Sequence, residues 1–125
     1  MVERIDIINY LKRNFKTVVP ETHYLKNKSK TVKYPYQTFS MTGEPTRKNG
    51  KGFYIDVSIF DDGKNSDVTI EKALSSMIET FDDYHDLTDN FLIQIDYRND
   101  NQIPTGSDTL LRRELQLYAK IDWRK

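Results

Sequence analysis

Two histidines, His23 and His85, are the only imidazoles in the chain, and both fall in polar stretches that read as loops. A hydrolase triad would need one of them as general base beside a marked nucleophile. The chain contains no cysteine and no Gly-x-Ser-x-Gly elbow, and the glycine patterns of phosphate loops and dinucleotide sites are also absent. Asp82, Asp83, His85, Asp86 and Asp89 gather hard oxygen ligands that could attract a divalent cation. They lack the spacing and turn glycine of an EF-hand, and they follow a helix instead of lying between two. They read as a solvated acidic loop. Asp56 and Asp96, with Lys64 or Lys120, are the raw material for a two-metal nuclease. Both aspartates take polar positions of alternating strands, where charge belongs without any catalytic role. The expectation is a protein that is not an enzyme and holds no metal or cofactor.

Charge offers more than catalysis does. The formal net charge is zero, yet the signs are segregated along the chain. Residues 1–51 carry eleven Lys/Arg against four Asp/Glu, a balance of +7. Residues 52–108 carry three against thirteen, or −10, and residues 109–125 carry five against two, or +3. Such a molecule can present a basic side and an acidic side. Lys26, Lys28, Lys30 and Lys33, with Tyr24, Tyr34 and Tyr36 nearby, combine the cations and aromatics that contact phosphates and stack bases. A small nucleic-acid-binding α+β domain is therefore the alternative reading. The acids of the middle segment oppose it, and neither a ribonucleoprotein-type aromatic motif nor a Gly-x-x-Gly loop is present. Without cysteine there are no disulfides or thiolate metal sites, which suits a reducing cytoplasm. No apolar run is long enough to cross a bilayer and no basic-then-apolar leader opens the chain, so a soluble protein with no membrane partner is expected.

At 125 residues the chain suits one domain, 1–125, with one modest core. Two halves follow each other, each a helix and then two strands. Ile5, Ile8, Leu11, Lys12 and Phe15 predict a first helix over residues 3–16, with Lys12, Arg13 and Lys16 favoured by the dipole at its end. His23 to Lys33 reads as a loop or a poor edge strand whose lysines resist pairing. Tyr34-Pro35-Tyr36 enters a strand reaching about Thr42, and Phe53 to Phe60 alternates cleanly as a second strand. The nine residues Gly43 to Lys51 between them form a long basic hairpin tip with the turn pair Asn49-Gly50. Ile70, Ala73, Leu74, Met77, Ile78 and Phe81 mark one face of a second helix, capped by Asp67 or Thr69. Phe91 to Arg98 is a third strand, and Asn99 to Asp108 a loop. The fold class expected is α+β, with two helices packed on a mixed, mainly antiparallel sheet of about four to five strands.

The last strand stands out. From Leu110 to Trp123 apolar and polar positions alternate, with Arg113 the exception on the apolar side. At about 3.3 Å per residue the run spans roughly 45 Å, against a diameter of about 36 Å for a compact chain of this length. The expectation is that it bends at a bulge or pairs in part with another subunit, because a long bare edge invites aggregation.

The element order and a few local phrases resemble a known family. The phrases are Tyr34-Pro35-Tyr36, Asp61-Asp62 after the second strand, and the helix Thr69–Phe81. Asp108, Leu111 and Arg113 open the final strand, and Ile121-Asp122-Trp123-Arg124 closes it. Together they resemble the small tail terminator (tail completion) proteins of long non-contractile-tailed bacteriophages, over nearly the whole chain. The resemblance implies a ring, typically a hexamer, that caps the head-proximal end of the tail tube. Such a ring stops tube polymerisation and performs head-tail joining. The implied partners are further copies of the chain, the major tail tube protein, and a head completion or neck protein. DNA would pass through the ring without sequence-specific nucleic-acid binding. The implied location is the head-tail junction of the virion, after assembly in the host cytoplasm. No matched motif transfers contact residues, so the chain's own pattern supplies them. Arg47, Lys48, Asn49, Gly50 and Lys51 are expected to touch a neighbouring ring or subunit. Asp61, Asp62, Lys64 and Asp67 offer a complementary surface, and Arg112, Arg113, Tyr118, Lys120 and Trp123 pack between subunits.

Overall fold

Helix α1 (Arg4–Phe15) is followed by strands β1 (Glu21–Tyr24), β2 (Tyr36–Gly43) and β3 (Gly50–Asp61), and then by helix α2 (Val68–Phe81). Strands β4 (Tyr84–Leu87), β5 (Phe91–Gln102) and β6 (Leu111–Trp123) complete the chain. This arrangement comes from a computed structural model that describes residues 2–64, 66–107 and 109–123. Asp108 and Arg124, part of the phrases behind the family resemblance, lie outside the described residues. The strands form one six-stranded sheet in the order β1-β2-β3-β6-β5-β4. Only β1 and β2 run parallel. The α+β class holds, with six strands where four to five were expected.

Both helices bury an apolar stripe against one face of the sheet. In α2 the buried residues are Ile70, Leu74, Met77 and Phe81, and their burial contributes roughly 6–12 kcal/mol gross before ordering entropy. Asp67 stands at the N-cap of α2 but makes no capping bond. The Ser66 hydroxyl accepts the Val68 N–H at 3.2 Å instead. In α1 the stripe is rotated from the expected one. Ile7 and Tyr10 are buried, whereas Ile5 is 52% exposed. Phe15 joins the two helices and the sheet through edge-on contacts with Phe39 and Phe81.

The expectation that β6 outruns its own domain is overturned. It pairs with β3 from Gly50↔Asp122 to Asp61↔Leu111, and on its other side with β5 from Phe91↔Trp123 to Gln102↔Arg113. The sphere behind the 36 Å figure is the wrong shape. Three neighbouring strands of 12, 13 and 12 residues make a sheet elongated along its strands. The bulge falls on β5 between Tyr97 and Asn99, where Arg98 is the extra residue and the register against β6 shifts by one. Edges are left bare elsewhere. β1 covers β2 only as far as Phe39, and β4 covers β5 only from Leu92 to Ile95. Charged side chains occupy part of what remains: Arg4 donates to the Met41 carbonyl at 2.7 Å, and Asp82 accepts the Tyr97 N–H at 3.2 Å.

Further polar contacts tie the helices to the sheet. Arg113, on the core face of β6 and 8% exposed, donates from Nε to Glu71 of α2. Glu71 is itself about half exposed, so solvent screens the pair from one side. Tyr10 of α1 donates its hydroxyl to Asp86 of β4 at 2.6 Å, and Tyr84, also 2.6 Å away, is placed to donate to the Tyr10 oxygen. Burial, and then the bond to Asp86, push the Tyr10 hydroxyl well above its ordinary value near 10.

Removing Glu71 strands a buried guanidinium. Glu71→Ala is expected to cost about 1–2 kcal/mol in urea unfolding, and Arg113→Leu in the same chain to return at least about half of it. A double variant weaker than the single one would refute that account. For Tyr10 the folded state keeps its proton after the unfolded chain has lost it, so stability falls as pH rises above about 10. Tyr10→Phe is expected to cost about 1–2 kcal/mol at pH 7 and to shrink that alkaline decline. An unchanged decline between about pH 9 and 11 would assign it to other tyrosines.

Candidate functional site

The side of the sheet opposite the helices carries no layer of its own. Tyr36, Phe60 and Arg112 stack there, with the two rings 4.8 Å apart and the Arg112 guanidinium 5.4 Å from the Phe60 centroid. Burial pushes the Tyr36 hydroxyl up, with Tyr34 adding to the shift and Arg112 opposing it. Arg112 also donates to Ser58 at 3.2 Å and pairs with Glu114 at 3.4 Å. Gln116 donates to Asp56 at 3.1 Å. Alternation along β3 and β6 sends all these side chains away from the core, so the face is polar, aromatic and largely satisfied within itself.

At one end of this face the β2–β3 connection closes over the sheet. Arg47 and Gly50 bridge, with the Arg47 N–H on the Gly50 carbonyl at 2.7 Å. Asn49 sits at φ 61°, which asparagine tolerates better than most residues. Its carbonyl accepts the Trp123 N–H at 2.9 Å, which locks the tip to the end of β6. Arg47, Lys48, Gly50, Lys51, Gly52, Tyr118, Lys120 and Asp122 surround a cavity of about 140 Å³. Tyr118 packs on Tyr54 and donates to Glu44. That hydrogen bond is the main cause of its raised pKa. A Cβ at Gly52 would collide with the Tyr118 hydroxyl and Glu44 Oε1, so both side chains would have to shift to admit one.

The expected contact residues therefore divide. Arg47, Lys48, Asn49, Gly50, Tyr118 and Lys120 come together at this tip. Gly50 and Lys51 belong to β3 and not to the loop, which spans only residues 44–49. The Lys51 ammonium lies over the Phe53 ring at 5.3 Å. Trp123 is half-buried, packed against the core. Asp61, Asp62, Lys64 and Asp67 lie at the far end of β3, about 36 Å away along the strand. Asp61 is buried there, and its carboxyl is pushed up by that burial. Asp62 reaches Lys64 at 3.9 Å. Arg113 faces the core beside Glu71, leaving it out of the exposed set.

Sequence reasoning did not foresee β4. Tyr84-His85-Asp86-Leu87 has neither alternation nor turn glycine, so the acidic segment reads as a loop. The structure makes it the second edge of the sheet. Its signal was indirect: Asp83, at φ 53°, reverses the chain directly after α2. Among the described residues no three His, Cys, Asp or Glu side chains are placed to share a metal ion. No helix is long and apolar enough to cross a membrane.

No protein-family model matches the chain, and no curated protein matches it. Solved structures do. A chain from the virion of a native gene transfer agent particle superposes with a TM-score of 0.65 at 12% identity, covering 86% of this chain and 84% of that one. The likeness is one of fold. A second solved protein, identified only by a sequence number, matches over 99% of both chains with a TM-score of 0.72 and 10% identity.

Gly52→Ala is expected to displace Tyr118 and Glu44, opening the tip at a cost of about 1–3 kcal/mol by urea unfolding. Wild-type stability in that variant would show that the tip relaxes around the added methyl.

Proposed function

We propose that this chain is a structural subunit of a phage-like particle and not an enzyme. Copies form a ring, a hexamer by the family resemblance, on the head-proximal end of the tail tube. The ring ends tube polymerisation and joins tail to head through a neck or head completion protein. The observation that carries this reading is the shared fold with a gene transfer agent virion chain across most of both chains. The element order that resembles tail terminators supports the same position in the particle. The polar residues point the same way, since those of the open face bond and stack with one another instead of converging on a reacting atom. Other copies, the tube protein and the neck protein are the partners. DNA passes through the lumen without its sequence being read.

The tip is the surface assigned to the neighbouring ring or subunit, with Arg47, Lys48 and Lys120 around Tyr118. Electron microscopy of the chain mixed with tail tubes is expected to show a ring on one end of each tube, and tubes of fixed length. Arg47→Glu with Lys48→Glu is expected to lower the yield of joined particles at least tenfold while leaving thermal unfolding unchanged. Tubes that stay bare, together with duplex DNA retained in a steeply salt-dependent manner, would overturn the proposal in favour of a nucleic-acid-binding domain.

A further inference from the structure

The two edges of the sheet carry opposite charge. On the β1 side, the connection from Leu25 to Pro35 presents Lys26, Lys28, Lys30 and Lys33, all exposed. On the β4 side stand Asp82, Asp83, Asp86 and Asp89, with Asp96 on the stretch of β5 that β4 leaves uncovered. Five strand spacings of about 4.8 Å set these edges roughly 24 Å apart. Among the described residues none of these lysines or aspartates lies within ion-pair distance of an opposite charge. Counter-charges are fewer: Glu21 faces His23 on the basic side, while on the acidic side Arg98 is exposed at the β5 bulge and Arg13 lies over Tyr10 beside the β4–β5 turn. Each edge also exposes apolar surface. Leu25 is 60% and Val32 44% exposed on one side, and Leu87 59% on the other.

We infer that the basic β1 edge of one copy docks on the acidic β4 edge of the next, so that subunits join side by side and head to tail around the ring. The occupant of each edge is thus a second copy of this chain, and the inference rests on the ring reading above. Complementary patches on opposite sides of one subunit make a heterologous contact, and such contacts close into a ring when the rotation allows. Arg4 and Asp82 already occupy backbone positions at Met41 and Tyr97. Backbone pairing between copies is thereby confined largely to four-residue strands. Side-chain charge and the exposed Leu25, Val32 and Leu87 must carry the contact, which makes it sensitive to salt.

The test uses two charge-altered chains. One carries Lys26→Glu, Lys28→Glu, Lys30→Glu and Lys33→Glu, so that both edges are acidic. The other carries Asp83→Asn, Asp89→Lys and Asp96→Lys, so that its acidic edge loses its net negative charge. Asp82 and Asp86 are left in place because they hold Tyr97 and Tyr10. Sedimentation and electron microscopy at low salt, with tail tubes present, are expected to show wild-type rings that weaken steeply as salt rises. Each variant alone should associate at least tenfold more weakly, and an equimolar mixture should recover rings of alternating subunits. Variant rings as stable as wild type, or a mixture that fails to recover while wild type assembles, would overturn the edge contact and leave the ring reading standing. A wild-type chain that stays monomeric even on tube ends would overturn both.

Discussion

The pairing of β6 along both of its edges is the constraint from which the rest of the structure follows. Its register with β3 and β5 sends Leu115, Leu117, Ala119 and Ile121 toward the helices and leaves Arg112, Glu114, Gln116 and Tyr118 on the open face. A slip of one residue would exchange the two sets, because the side-chain period of a strand is two. The β5 bulge shifts that strand by one residue against β6 between Tyr97 and Asn99, while β6 keeps its own faces through its unbroken ladder to β3. Arg113 is the one charged residue on the inward side of β6, and Glu71 of α2 meets it there. A helix and the central strand are thereby fixed to each other by a contact with geometric demands that apolar packing lacks.

The same insertion arranges the charge. The C-terminal strand lies between β3 and β5, so the lysines of the β1–β2 connection are held to one side of it and the acids of β4 and β5 to the other. Segregation along the sequence becomes segregation across the sheet. Had β6 been an edge strand, the two outer edges of the sheet would be formed by other strands. With both helices on one face, the remaining face stays open, and its residues stack and hydrogen-bond with one another, leaving Arg112 Nε buried without a partner.

Much of this was legible before any coordinates. The helical faces of Ile8, Leu11 and Phe15 and of Ile70, Leu74, Met77 and Phe81 are written in three- and four-residue steps. The strands at Phe53–Phe60 and Phe91–Arg98 are written in steps of two. Periodicity reports the direction in which a residue points, and that part held. It reports boundaries poorly. Gly50 and Lys51 look like turn residues, yet the ladder to β6 extends through them, because backbone pairing continues wherever a partner strand is present. β4 escaped for the complementary reason. Its four residues have no apolar alternation of their own, and they are extended because β5 pairs with them and Tyr10 holds Asp86.

Among the candidate contact residues, the local group Arg47, Lys48, Asn49 and Gly50 was bound to stay together, since chain connectivity alone keeps neighbours in a tight turn close. That Tyr118 and Lys120 would join them, and that Asp61 would be buried far from them, could not be read from spacing. By itself the sequence determined the periodic elements, most of their inward and outward faces, and the unequal distribution of charge along the chain, because these are properties of short segments and their periods. Only the tertiary structure decided that the last strand is central, that its neighbours cover it, and that the charges end on opposite edges. Strand order depends on pairings between residues far apart in the chain, and no local pattern encodes which partner a strand will find.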